Sequence, residues 1–200
     1  MMKHVVRIGV FALGALMSSG TLANAQSSAE YPAAEAGFNY TFTHQNPGGS
    51  IGTFNGNGGS GYLSYNINKT FSLVADLGAF HTANANGIAL DNTTFTYLFG
   101  PRINWRAKRF TPYIQTLVGG ARFSNAYDPG LSTPSLGMTG NAFAAAIGGG
   151  VDVPVTAHFT VKPFQVDYLM TQIPSSTANA NYLQNGLRYS AGVVFSFGSK

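Results

Sequence analysis

The sequence predicts an all-β fold, an eight-stranded antiparallel up-and-down transmembrane β-barrel. Three observations lead there. Only 9% of the 200 residues are charged, against roughly 25% in ordinary soluble domains. Mean hydropathy is nevertheless close to zero, at +0.05, and no apolar run after residue 26 approaches the ~18 residues of a membrane helix. Finally, eight segments alternate bulky apolar residues with small or polar ones, the period of a strand with one apolar face. A barrel hides its hydrophobicity in such alternation. The 25 Gly, 15 Phe and 10 Tyr suit it.

Residues 1–25 are expected to form a cleaved signal peptide and residues 26–200 the barrel domain. Met1–Arg7 carries Lys3 and Arg7, Ile8–Met17 is an apolar core, and Ala23-Asn24-Ala25 is a small-residue cleavage site. That core is too short to span a bilayer. Cleavage leaves nine basic against seven acidic residues, an excess of +2, which implies no nucleic-acid partner. The absence of Cys removes disulfides, a lipoprotein anchor and thiolate metal sites together.

The first strand is Ala34–His44, with Ala36, Phe38, Tyr40 and Phe42 on one face and Glu35, Gly37, Asn39, Thr41 and Thr43 on the other. Gly59–Ile67 follows, with Leu63, Tyr65 and Ile67 opposite Ser64 and Asn66. Phe71–Ala83 sets Phe71, Leu73, Ala75, Leu77 and Ala79 against Ser72, Asp76 and Gly78. Thr93–Arg106 sets Phe95, Tyr97, Phe99, Ile103 and Trp105 against Thr94, Thr96, Gly100, Arg102 and Asn104. In the fifth segment, Phe110–Asn125, neither parity is clean around Gln115–Arg122, and Gly119-Gly120 suggests a bulge. Asn141–Val153 places Phe143, Ile147, Val151 and Val153 opposite Ala142, Ala144, Ala146, Gly148, Gly150 and Asp152. His158–Gln172 places Phe164, Val166 and Tyr168 opposite Gln165 and Asp167. Gly186–Gly198 places Leu187, Tyr189, Ala191, Val193, Phe195 and Phe197 opposite Arg188, Ser190, Gly192 and Ser196.

Connections alternate in length. Asn66–Thr70, Ala107–Arg109 and Pro154–Ala157 read as tight turns. Gln45–Gly58, Asn84–Asn92, Ala126–Gly140 and Ile173–Gln184 are longer and rich in Gly, Asn, Ser, Thr and Pro. Within the first of these, Asn55-Gly56 and Asn57-Gly58 read as turn formers. Short turns on one side and long loops on the other is the bacterial outer-membrane arrangement.

Face content decides which side is the lumen. An eight-stranded lumen holds only packed side chains or one small ligand. Turning the bulky face inward would leave an outside of Gly, Ala, Ser and Thr with few charges, a surface soluble proteins do not present. The bulky face therefore meets lipid, with Trp105, Phe159 and Phe197 as an aromatic girdle near the short turns. Small and polar residues fill the interior. Glu35, Asp76, Arg102, Asp152, Asp167 and Arg188 then fall inside, where buried charges need partners. A hairpin centred near residue 88 places Asp76 diagonal to Arg102, and one centred near 178 puts Asp167 beside Arg188. These four are expected to form structural ion pairs that plug the lumen.

Several stretches carry a resemblance: Phe99-Gly-Pro-Arg102, Pro112-Tyr-Ile-Gln-Thr-Leu-Val-Gly-Gly-Ala-Arg122, Gly148-Gly-Gly-Val-Asp152, Phe164-Gln-Val-Asp-Tyr168, and the closing Asn185-Gly-Leu-Arg-Tyr-Ser-Ala-Gly-Val-Val-Phe-Ser-Phe197-Gly. With them the chain resembles the OmpA/OmpX-like outer-membrane β-barrel family, specifically its single-domain outer-membrane β-barrel proteins. The resemblance implies an address in the bacterial outer membrane among outer-membrane lipid and lipopolysaccharide. It further implies insertion by the barrel-assembly machinery, which reads a C-terminal strand signal. Here that signal departs slightly, because Gly198, Ser199 and Lys200 follow the last aromatic. A monomer is expected, with a possible external ligand reached through the loops.

Enzyme chemistry finds no coherent set of residues. Lipid A deacylases resemble this fold and use His, Ser and Glu, but here the nearest analogues are His81-Thr82 and His158-Phe159-Thr160. The mature Glu residues, Glu30 and Glu35, lie at the N-terminal end. A lipid A palmitoyltransferase would need His, Asp and Ser in external loops, for which His44, Ser50, Asp91 and Asp128 could be collected. The mature histidines occupy separate strands without metal-ligand spacing, and the Gly-rich stretch Gly48–Gly61 lacks the Lys-Ser/Thr end of a phosphate loop. No catalytic, cofactor or metal residue is therefore assigned. A structural or surface-interaction barrel is expected, with a small-solute pore as the alternative and a lipid A-modifying enzyme third.

Overall fold

The computed structural model describes residues 31–46, 53–82, 91–126, 139–174 and 181–200. The expected signal peptide, residues 1–25, lies outside them. Eight strands follow in order: β1 (Ala34–Asn46), β2 (Phe54–Asn66), β3 (Phe71–Thr82), β4 (Asp91–Asn104), β5 (Thr111–Ala126), β6 (Thr139–Pro154), β7 (Phe159–Pro174) and β8 (Asn181–Phe197). Each pairs antiparallel with its sequence neighbour. β1 pairs with β8 from Ala34↔Phe197 to Asn46↔Asn185, which closes the barrel. Closure leaves no strand edge unpaired, and only such a sheet can stand in hydrocarbon.

The alternation of the sequence becomes the wall. Phe38, Leu63, Leu73, Leu77, Phe99, Ile114, Ile147 and Phe164 point outward and are exposed, whereas Glu35, Thr41, Ser64, Asp76, Arg102, Asp167 and Arg188 point inward and are buried. Trp105, Phe110, Phe71 and Phe197 ring the short-turn end, and Phe159 packs edge-on against Phe195 at 5.6 Å. In water this apolar band would far exceed the few hundred Å² that soluble monomers tolerate. The band is a lipid-facing surface and the barrel spans a membrane.

Four details differ from the sequence expectation. First, β2 begins at Phe54, so Asn55-Gly56 and Asn57-Gly58 are strand rather than turn. They pair with Thr43, His44, Thr41 and Phe42 of β1, and the paired ladder overrides their weak local strand preference. Second, Gly119-Gly120 is no bulge: both neighbours of β5 keep a constant register through it. Gly120 instead makes room for the Tyr97 ring of β4, whose hydroxyl lies 2.3 Å from where a Cβ would stand.

Third, the irregularity lies in β7. The register slips between Lys162 and Gln165 against β8, and opposite Val151 and Val153 of β6. Pro163 has no N–H to give the ladder, and one extra residue is accommodated there. Everything before it in β7 changes face, so Lys162 turns inward and is fully buried. Fourth, the interior is not only small and polar. Val74, Leu98, Leu117, Leu169 and Val194 form a buried apolar cluster with Tyr62 and several alanines, because strand position sets direction regardless of residue type.

Candidate functional site

The lumen is where the inward residues of all eight strands meet. At its centre Arg188 (β8) lies opposite Asp167 (β7) in register. Its Nη2 stands 2.8 Å from Asp167 Oδ2 and its Nη1 2.7 Å from Asp76 Oδ1 of β3. Asp167 accepts three further hydrogen bonds, from Arg188 Nε at 3.0 Å, Gln115 Nε2 at 3.1 Å and Gln165 Nε2 at 2.6 Å. A guanidinium held by two carboxylates, one of them further hydrogen-bonded by two amides, satisfies the condition under which buried ions persist.

Next to this centre is a layer of different chemistry. Arg102 donates through Nε and Nη2 to Gln115 Oε1, at 3.1 and 2.7 Å. Its guanidinium lies 4.7 Å from the ring centre of Tyr62 and 4.2 Å from that of Tyr113. Lys162 Nζ lies against the same two rings, at 4.2 and 4.8 Å. It donates to Gln165 Oε1 at 3.1 Å and faces Asp152 Oδ1 at 3.7 Å. Two cations share one pair of aromatic rings, whose negative faces attract them. Tyr113 also donates to Gln165 Oε1 at 2.6 Å, which ties the layer to the ion-paired centre.

Glycines make room for these rings. A Cβ at Gly37 would come within 2.0 Å of the Tyr62 ring, its cross-strand partner. At Gly150, opposite Tyr113, it would lie 2.6 Å from the hydroxyl. Toward the loops, Thr41 and Ser190 share a 3.0 Å hydrogen bond and Gln184 donates to Gln45. Toward the short turns, Asn104 donates to Ser72 at 2.6 Å, and Arg106 meets Glu35 at 3.2 Å. A hollow of about 170 Å³ at that mouth is lined by Glu35, Asn104, Arg106, Thr111, Asp152 and Thr160, among others.

One expected ion pair is corrected. Asp76 does not reach Arg102, because its register partner is Leu98 and Arg102 stands opposite Ser72. Four residues along a strand is roughly 13 Å, whereas diagonal contacts reach only two. Asp76 instead crosses the lumen to Arg188. Sequence reasoning also missed Lys162, Tyr62, Tyr113 and Gln115 as lumen residues, and did not join Gln165, which it placed inside, to their network. Pro163 was the signal for Lys162; for the two tyrosines it was the register that sets each opposite a glycine.

The residues weighed for enzyme chemistry are scattered. His81 faces outward, 3.3 Å from Thr93 Oγ1, while Thr82 points inward. His158 is exposed in the β7 turn, Thr160 is inside and Glu35 is engaged with Arg106. Glu30, Ser50 and Asp128 lie outside the described residues, as does the side chain of Asp91.

Neither a family model nor a curated protein matches the sequence. Among solved structures, Neisserial surface protein A (NspA) is similar with a TM-score of 0.63 at 14% identity, over 86% of this chain and 100% of that one. The chain has the fold of the small outer-membrane β-barrels. Ail, the attachment invasion locus protein of Yersinia pestis, has a TM-score of 0.56 at 11% identity, over 84% of this chain and 99% of its own. OprG of Pseudomonas aeruginosa has a TM-score of 0.50 at 10% identity, over 84% and 98%. Full-length coverage means that this outer-membrane-type barrel carries all eight strands of its neighbours and shares their closure, as the OmpA/OmpX-like resemblance implies.

Proposed function

We propose that this chain is a bacterial outer-membrane barrel whose lumen is a structural plug and whose interactions run through its external loops and rim. The observation that carries this is the unbroken buried network from Asp76 through Arg188, Asp167, Gln115 and Arg102 to the two tyrosines. Side chains of opposite walls meet in it, so a solute would have to part several charge-assisted hydrogen bonds to pass. In small barrels of this kind variable output sits in the loops. Ail, of like fold, has been solved with the heparin analogue sucrose octasulfate, which supports a binding role for such a scaffold.

Planar-bilayer recording tests this. The purified barrel is expected to give no steady single-channel conductance, whereas reproducible ohmic steps would replace the plug with a pore. The pore has one observation in its favour, the hollow at the short-turn mouth, lined among others by Glu35, Arg106 and Asp152. Catalysis forms no part of the proposal, and the barrel is expected to act as a monomer. Incubation with lipid A and mass analysis of the product is the test, and any deacylation or palmitoylation would overturn that point.

A further inference from the structure

On the outer wall, the face that meets lipid changes character within one rung across β7, β8 and β1. Val166, Tyr189 and Phe42 form an apolar rung, with the Phe42 and Tyr189 rings 6.4 Å apart. Toward the loops, the next outward rung is Tyr168, Leu187 and His44, which are direct cross-strand neighbours. Asn185 and Asn46 pair on the rung above. These residues line a hollow of about 330 Å³ in the outer surface. Leu187, Tyr168 and His44 line it together with Gly186 and the amide residues Asn46 and Asn185. His44 Nδ1 is held by Asn55 Oδ1 at 2.7 Å, which fixes the ring and leaves Nε2 for another partner. Asn185 Oδ1, beside the hollow, is buried and has no hydrogen-bond partner among the described residues.

We propose that this hollow seats the uncharged sugar of an outer-leaflet glycolipid, whose acyl chains lie along the apolar rungs below. The inference rests on the outer-membrane placement proposed above, not on the closed lumen. Position forces the kind of occupant: in a membrane-spanning barrel the place where the apolar band ends at the loop side is the headgroup level. Chemistry narrows it. An aromatic ring beside a leucine suits the C–H face of a pyranose, and imidazole and amides suit hydroxyls. Among the described residues no Lys, Arg, Asp or Glu lines the hollow, which favours hydroxyls over a phosphate.

The test places the isotope-labelled barrel in phosphatidylethanolamine nanodiscs and replaces part of the lipid with galactosyl diacylglycerol of the same acyl chains. Saturable amide shifts are expected at His44, Asn185 and Leu187, and not when phosphatidylglycerol is substituted instead. His44→Ala and Tyr168→Ala should each weaken the apparent affinity roughly three- to tenfold, the loss of one interaction of ordinary strength. Asn141→Ala, on the outer face of β6, should leave it unchanged. Each variant is first required to keep the heat-modifiable gel mobility of a closed barrel. Shifts spread evenly round the rim, shifts reproduced by phosphatidylglycerol, or no shifts at all would each overturn the site. A conducting barrel would overturn the plug and leave this inference intact, so the two failures are distinguishable.

Discussion

Arg188 and Arg102 are both fully buried in one lumen, and the barrel accommodates them in opposite ways. Arg188 sits between two carboxylates, Asp76 and Asp167, contributed by β3 and β7. Arg102 has no carboxylate within ion-pair distance among the described residues; it has Gln115 and the faces of Tyr62 and Tyr113, which it shares with Lys162. The first region is held by opposite charge and ties strands together across the lumen. The second solvates positive charge with dipoles and rings, which is weaker per contact. Removing Arg188 strands two buried carboxylates, while removing Arg102 strands only a neutral amide and two rings. The plug is therefore anchored at Arg188 and softest around Arg102 and Lys162.

The largest effect should follow Arg188→Leu. Both carboxylates lose their cation in a site shut off from water, and the unfolding free energy from vesicles should fall by about 3–5 kcal/mol. Asp167→Asn should cost less, because Asp76 still holds Arg188. The double variant Asp167→Asn, Arg188→Gln should lose less than the sum, with a coupling of roughly 0.5–3 kcal/mol in urea titrations. Strict additivity would dissolve the distinction between the two regions.

A guanidinium given neither solution sharpens the contrast. Ile147→Arg places one on the outward face at mid-wall, where neither carboxylate nor ring awaits it. It should impair insertion by about 2–4 kcal/mol. The same change at Ser190, on the lumen side, should cost less if the added bulk is accommodated. Equal costs would mean that inside and outside do not differ as described.

Arg102→Leu should cost about 1–3 kcal/mol, clearly below Arg188→Leu, since it leaves Gln115 short of a donor but relieves Lys162 of a like charge. A cost equal to that of Arg188→Leu would show that rings and amide hold a buried cation as firmly as carboxylates do. The smallest effect should be Tyr113→Phe, which removes the hydroxyl from Gln165 and keeps the ring over both cations, at about 1 kcal/mol. In each variant the unboiled protein should still run apart from its boiled form on SDS gels, because the closed wall is intact.

What the sequence determined by itself was direction. Alternation is a local property, so the inward or outward sense of Phe38, Asn39, Asp76, Leu77, Arg188 and Tyr189 could be read from their neighbours alone. Hairpin register is only partly local: a turn centre set Asp167 beside Arg188, but in the β3–β4 hairpin the same reasoning missed, and Asp76 stands opposite Leu98. Tertiary structure decided everything that depends on more than one hairpin. Asp76 and Arg188 are 112 residues apart, and only closure of β1 on β8 brings their walls within reach across the lumen. Lys162 turned inward because the ladder around Pro163 takes up an extra residue, a choice made jointly by β6, β7 and β8. The ring pair that holds Lys162 and Arg102 exists because register sets Tyr62 and Tyr113 opposite glycines. Period-two patterning fixes the face of a side chain, but its partner is fixed by strand stagger and closure, which no single segment encodes.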